Sequence, residues 1–288
     1  MDNVDALIEH LNLERIEDNL FRGQSSSIGS GRVFGGQVLA QALNAAIHTV
    51  PSDRIVHSLH AYFILPGDIN YPIVYDVEIL RDGGSFTTRR VKAIQKGRPI
   101  FNFLASFQVQ EEGFDHQLDM PDVPVPEELA TREEISKAYE DKWPPSFKSF
   151  YNIKKPIEFR PVDPFNPVNP GKRRPLHQIW MKSKGIMPDS PQLHQCVLAY
   201  ASDYNLLSTA ILPHGDQTSF VKLQMASLDH AMWFHRDFRI DEWLLYSLDS
   251  PSGSNSRGLC RGSIFDRKGM LVASVCQEGL IRPRPPKR

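Results

Sequence analysis

Val38-Leu39-Ala40-Gln41-Ala42-Leu43-Asn44 and Val197-Leu198-Ala199-Tyr200-Ala201-Ser202-Asp203 read as two copies of one helical segment. Val, Leu, Ala and the second Ala match, and the last position holds Asn in one copy and Asp in the other. A carboxylate accepts a proton at neutral pH and its amide does not. A duplicated unit that keeps one acid and replaces the other with its amide points to one working site and one vestige.

The surroundings of both segments repeat as well. In the first flank, Phe34 to Ile47 reads as a helix after the Gly29-Ser30-Gly31 turn, and strands follow at about 56–65, 73–81, 85–96 and 100–110. Asp82-Gly83-Gly84 is a hairpin signal between two of them. In the second flank a helix near 191–208 precedes strands at about 218–234, 242–249, 257–266 and 270–282. Ser58 falls on Ser227, Gly84-Ser85 on Gly253-Ser254 and Gln108 on Gln277, all at a common offset of 169 residues. A helix wrapped by an antiparallel sheet, present twice, is an α+β architecture. The apolar Val-Leu-Ala-x-Ala face requires each helix to be buried along most of its length.

Between the flanks the chain changes character. Half of the 22 prolines lie between Pro121 and Pro175. Proline fixes φ and removes a donor, so this stretch is neither a regular sheet nor one long helix. Within it Glu127 to Trp143 reads as a short helix, with Thr131 and Glu134 spaced as a capping box. The division expected is a first repeat over 1–115, a proline-rich connection over 116–175 and a second repeat over 176–288 that carries the acid.

Composition narrows the partners. A net charge of −1 gives no electrostatic reason to expect nucleic acid or an anionic membrane. No apolar run approaches a membrane span, and the Met-Asp-Asn-Val-Asp start is acidic where a secretory signal is basic and then apolar. Cys196, Cys260 and Cys276 lack the paired spacing of a zinc or redox motif, so a reducing, cytoplasmic setting is expected. The final Pro-Pro-Lys-Arg is not a peroxisomal Ser-Lys-Leu address. Neither a Gly-x-Ser-x-Gly elbow nor a P-loop occurs.

The motifs Arg32-Val33-Phe34-Gly35-Gly36-Gln37, His57-Ser58-Leu59-His60, Leu80-Arg81-Asp82-Gly83, Tyr200-Ala201-Ser202-Asp203, Ser227-Leu228-Asp229-His230 and Gln277-Glu278-Gly279 span nearly the whole chain. In that order they resemble acyl-CoA thioesterase II, the double hot-dog thioesterases of bacteria and peroxisomes. The resemblance implies a tandem hot-dog fold and hydrolysis of fatty acyl-CoA to free acid and CoA without metal or cofactor. It also implies a homodimer or homotetramer, and a water oriented by an Asp, a Thr and a Gln of the second repeat. These fall on Asp203, Ser227 and Gln277; Ser227 keeps the hydroxyl but lacks the methyl that would restrict its rotamer.

A thioester hydrolase also needs donors for the oxyanion. Gly35-Gly36 at the start of the first helix offers free N–H groups and the positive end of the helix dipole. The expectation is that the Gly36 and Gln37 amides of repeat one meet the thioester carbonyl, with His57 near the cleft, while Asp203 of repeat two supplies the base. The mirror site, with Asn44 in place of the acid, is expected to be inert. His57 and His60 have no third ligand in view, so no metal site is assigned. For the CoA phosphates, Arg89-Arg90, Arg257, Arg261 and Lys172-Arg173-Arg174 are candidates. Two alternatives stand beside hydrolysis: a non-catalytic acyl-CoA-binding module, and an acyl-CoA hydratase, which would call for an Asp/His pair.

Overall fold

The computed structural model describes residues 1–218 and 220–284; the terminal Pro-Pro-Lys-Arg, read above for a targeting address, lies outside the described residues. In chain order, α1 (Val4–Leu11), β1 (Glu14–Glu17) and β2 (Leu20–Gly23) precede the first central helix, α2 (Gly35–Ile47). β3 (Ile55–Phe63), β4 (Ile73–Asp82), β5 (Phe86–Gln95) and β6 (Arg98–Gln108) follow it. Next come α3 (Arg132–Tyr139), α4 (Pro145–Tyr151), β7 (Ile157–Pro161) and β8 (Leu176–Ser183), then the second central helix, α5 (Pro191–Ser202). The chain ends with β9 (Leu223–Ser227), β10 (Asp229–Phe234), β11 (Leu244–Ser254), β12 (Arg257–Asp266) and β13 (Leu271–Pro283).

The two central helices pack against each other inside one antiparallel sheet of 13 strands. Both are built for burial. Leu39, Ala40, Ala42 and Leu43 of α2 and Val197, Leu198, Ala199 and Ala201 of α5 are fully buried. Their alanines let the helix axes approach, and cutting a central leucine such as Leu198 back to Ala would cost about 2–5 kcal/mol. Ser190 caps α5 by accepting from the Leu193 N–H, and Pro191 occupies the first turn, where its missing N–H is harmless.

The sheet runs β1-β2-β4-β5-β6-β3-β10-β13-β12-β11-β8-β7, with β9 also paired to β13. The two halves join where β3 pairs antiparallel with β10, from Asp229 opposite Tyr62 to Trp233 opposite Ser58. The single strand expected at 218–234 is in fact two. It breaks at Leu228, whose N–H bonds to Glu278 O and whose carbonyl accepts from the Phe63 N–H, so β9 and β10 address different parts of β13. The helix expected over 191–208 also ends early, at Ser202. Asn205 takes a left-handed φ of 65°, which α-helix does not admit, and a 3₁₀ segment over Leu207–His214 follows.

In the proline-rich stretch the Thr131–Glu134 capping box is present, but the helix it starts stops at Tyr139. β7 is an edge strand that ends on Pro161, where the missing donor costs no ladder bond. Sequence patterning overlooked the elements α1, β1, β2, α4, β7 and β8.

Candidate active site

Asp203 sits at the C-cap of α5, half-buried, in contact with the start of α2 from the other half of the molecule. Its Oδ2 accepts the Gly36 N–H at 2.9 Å. Two glycines make that approach feasible. A Cβ on Gly36 would lie 2.4 Å from the Tyr200 carbonyl oxygen, and one on Gly35 would lie 2.7 Å from Asp203 Oδ2. The carboxylate therefore rests on the positive end of a helix in the first half, where the dipole favours negative charge.

The sheet brings the remaining groups to the other oxygen. Ser227 ends β9 opposite Gly279 of β13, and Gln277 lies two residues before Gly279 on the same face. The Ser227 hydroxyl donates to Asp203 Oδ1 at 3.3 Å, and Gln277 Nε2 donates to Ser227 Oγ at 2.9 Å. Asp203, Ser227 and Gln277 thus form one hydrogen-bonded line.

That line continues into the interior. His230 on β10 is fully buried, with Nδ1 at 2.6 Å from Gln277 Oε1 and Nε2 at 3.0 Å from Ser202 Oγ. Burial lowers the His230 pKa, only partly opposed by Asp203 and Gln277, which keeps the imidazole neutral. The Ser202 hydroxyl donates to Ala199 O at 2.9 Å, and its oxygen stands 3.0 Å from His230 Nε2. From His230 the donors run one way: His230 to Gln277, Gln277 to Ser227, Ser227 to Asp203. Burial pushes the Asp203 carboxyl above the usual carboxylate range, and His230, the Gly36 amide, Gln277 and Ser227 pull it back only in part.

His230 is the site residue that sequence reasoning missed. It stands in the Ser227-Leu228-Asp229-His230 motif, but no spacing in the sequence ties it to Gln277. The adjacency of Ser202 to Asp203 was the other available signal.

Other candidates lie elsewhere. The Gly36 N–H, expected to meet the thioester carbonyl, is already taken by Asp203, and the Gln37 N–H donates to Phe34 O at 3.1 Å. The Gln37 side chain is fully buried and fastens the loop after β2, donating to Gln24 O and Gln41 Oε1 and accepting from Ser26. His57 sits half-buried on β3 with its ring edge-on to Phe86 at 5.6 Å and makes no hydrogen bond to Asp203, Ser227 or Gln277. Arg89 is buried and donates to Thr49 and the Arg81 carbonyl; Arg90, Arg257 and Arg261 pair with Glu78, Glu278 and Asp249. Among the described residues, no three His, Cys, Asp or Glu side chains converge as a metal site, and no helix is long and apolar enough to cross a membrane.

A cavity of about 600 Å³ opens beside Asp203, walled by Phe34, Phe147, Phe150, Phe159 and Ile179. Arg132, Lys155, His177 and Arg284 also reach its lining, but its size and the apolar majority of its wall suit an alkyl chain.

Comparison with known proteins accords with this geometry. A family model for acyl-CoA thioesterase matches residues 150–280, and one for the acyl-CoA thioesterase N-terminal domain matches residues 22–108. The chain is 43% identical over 282 residues to acyl-CoA thioesterase 2 of Haemophilus influenzae, covering 98% of each. It is also similar to the crystal structure of an acyl-CoA thioesterase II from Mycobacterium marinum, at 43% identity and TM-score 0.80, covering 97% of this chain and 100% of that one. A hot-dog protein of unknown function from Alicyclobacillus acidocaldarius superposes with TM-score 0.76 at 18% identity, covering 97% and 99%, and speaks to the fold alone. The fold is a tandem hot-dog of α+β class, two helices each wrapped by half of a shared sheet. With matches to both halves and near-complete coverage by relatives of this identity, the chain belongs to the acyl-CoA thioesterase II family.

Proposed function

We propose that this protein hydrolyses fatty acyl-CoA to free acid and CoA with a water activated by Asp203 and oriented by Ser227 and Gln277. The observation that carries this reading is the donor line ending on a carboxylate at the wall of an apolar cavity. A water between Asp203 Oδ1 and Gln277 Nε2 gives a proton to the carboxylate as its oxygen attacks the thioester carbon. The tetrahedral intermediate then collapses, the C–S bond breaks, and the proton held on Asp203 passes to the departing sulfur. General-base help of this kind is worth on the order of 10²–10⁴ in rate. The raised Asp203 pKa makes the carboxylate a stronger base than an exposed one.

His230 acts at one remove. Its Nδ1–H fixes Gln277 Oε1, so that Nε2 faces Ser227 and the Ser227 proton points to Asp203. The other imidazole tautomer would flip the amide and reverse the line. Both ring nitrogens are bonded to protein and the ring is fully buried, so His230 is no candidate for the acid of a hydratase. Gly36, expected to bind the oxyanion, is assigned instead to hold the base.

The division into 1–115, 116–175 and 176–288 belongs to the same proposal. Its first boundary is supported by the sheet order, in which all strands up to residue 108 fill one half and all later ones the other; β7, within 116–175, already belongs to the second half's sheet. A cytoplasmic setting agrees with three free cysteines. A homodimer or homotetramer agrees with Tyr62 and Leu104, exposed apolar side chains on adjacent strands of the first half. The test is release of CoA thiol from a series of acyl-CoAs. A binding module releases none, and a hydratase changes absorbance without free thiol.

A further inference from the structure

A second cavity, of about 740 Å³, adjoins the one beside Asp203 across a thin partition. Val221, Leu223 and Arg284 line both spaces. The partition is the 3₁₀ turn Phe220–Lys222 together with Leu223, the first residue of β9. Two bonds from Arg284 fasten it: the backbone N–H donates to Lys222 O and Nε donates to Leu223 O, both at 2.9 Å. Leu223 is only 3% exposed yet borders both cavities, which is the position of a plug. Beyond it Ile211 and Ile281 continue the apolar wall, while His214, Gln217 and Lys222 are exposed at the mouth.

We infer that Val221 and Leu223 close the far end of the acyl cavity and so set the longest chain that the protein accepts. The inference rests on the thioesterase reading of Asp203, which places the thioester carbon in the first cavity. A chain that fills this cavity gains roughly fourfold in affinity for each methylene it buries. A longer chain meets Leu223 and must fold back or leave its tail in water, so the gain stops there. Cutting Leu223 to Ala removes the isopropyl group between the two spaces and joins them into one apolar channel. The second cavity suits the end of an acyl chain better than pantetheine. The two pantetheine amides would face the aliphatic side chains of Ile211, Leu223 and Ile281, which offer no hydrogen-bond partner.

The experiment measures kcat/KM by thiol release across octanoyl-, decanoyl-, dodecanoyl-, tetradecanoyl- and hexadecanoyl-CoA, kept below micellar concentrations. Calorimetric binding of the same series to full-length Asp203→Asn protein, with and without each change in the partition, gives a second readout. In wild type both quantities should rise with chain length to a limit and then level or fall. Leu223→Ala and Val221→Ala should each move that limit outward by about two methylenes or more, a gain of roughly tenfold for chains just past it. Val221 is half-buried, so Val221→Ala decides the question if Leu223→Ala does not fold. An unchanged limit in the folded variants overturns the inference. So does a wild type whose preference climbs without a limit through hexadecanoyl-CoA, a result that needs no variant. A change of equal size at every chain length also overturns it, and would place the partition against the pantetheine arm. Absence of thiol release from every substrate would count against the thioesterase reading, while the binding series would still locate the limit.

Discussion

Asn44 and Asp203 occupy matching places in two matching helices, yet their surroundings share almost nothing. α5 stops at Ser202, so Asp203 is a cap residue that turns out toward Gly36, Ser227 and the cavity. α2 runs on to Ile47, so Asn44 stays inside the helix and donates from Nδ2 to Leu11 O at 2.7 Å, beneath α1. The partners diverge too. Gln277 is buried in the middle of β13, whereas Gln108 ends β6 and donates at the surface to Glu111. The first half therefore lacks the site as well as the acid. Its helix passes the point where the other turns, its glutamine has left the core, and α1 covers the residue.

Changes at the two ends test that contrast. The largest effect is expected at Asp203. Asp203→Asn should lower kcat by roughly 10²–10⁴, measured as thiol release. In wild type the rate should rise with pH as Asp203 ionises, with a midpoint above the usual carboxylate range. The same shift sets the sign for stability. A carboxyl whose pKa is raised on folding contributes stability below its unfolded value and loses it as pH rises through the folded one. Asp203→Asn should therefore raise Tm at neutral pH relative to wild type and leave little difference at about pH 3, below the ordinary carboxylate value. An inactive variant with lower Tm at neutral pH would count against a strained, functional acid.

The next effect is at His230. His230→Leu removes the donor to Gln277 and should lower kcat roughly ten- to hundredfold with a smaller change in KM. His230→Asn, whose amide N–H stands where the Nδ1–H does, should recover most of it. Equal losses in both would mean that the ring matters for packing alone. Nitrogen NMR of the wild-type imidazole should show a protonated Nδ1.

At the contact between helices, Gly36→Ala pushes a methyl against the Tyr200 carbonyl and should cost about 1–3 kcal/mol in denaturant unfolding. No loss there would mean that the two helices separate freely. The smallest effect on rate is expected from Asn44→Asp. It sets a carboxylate against Leu11 O, so it should destabilise by about 1–3 kcal/mol while leaving thiol release by the Asp203 site nearly unchanged.

Much of this was legible in the chain. Alternation and turn signals placed seven strands to within about five residues and merged β9 with β10, because half-buried strands display their period directly but a one-residue break does not. The Thr131–Glu134 capping box was read correctly for the same local reason. The early stop of α5 was not legible. Leu206, Leu207, Ala210 and Ile211 continue an apolar pattern in sequence, and only the left-handed turn at Asn205 shows that the helix has ended. That stop makes Asp203 a cap, so the decisive feature of the site was hidden in a backbone angle. The role of Gly36 was hidden similarly: the sequence showed a helix start with free amides, but the group that fills it comes from 167 residues away. His230 needed the bend at Leu228, which points β10 at the far side of Gln277.

The most direct test is thiol release from octanoyl-CoA by wild type, Asp203→Asn and Asp203→Asn/Asn44→Asp, each shown to be folded. A single working site at the end of α5 predicts that activity collapses in the first variant and stays collapsed in the second. Activity that survives in Asp203→Asn, or returns when Asn44 becomes an acid, would contradict it.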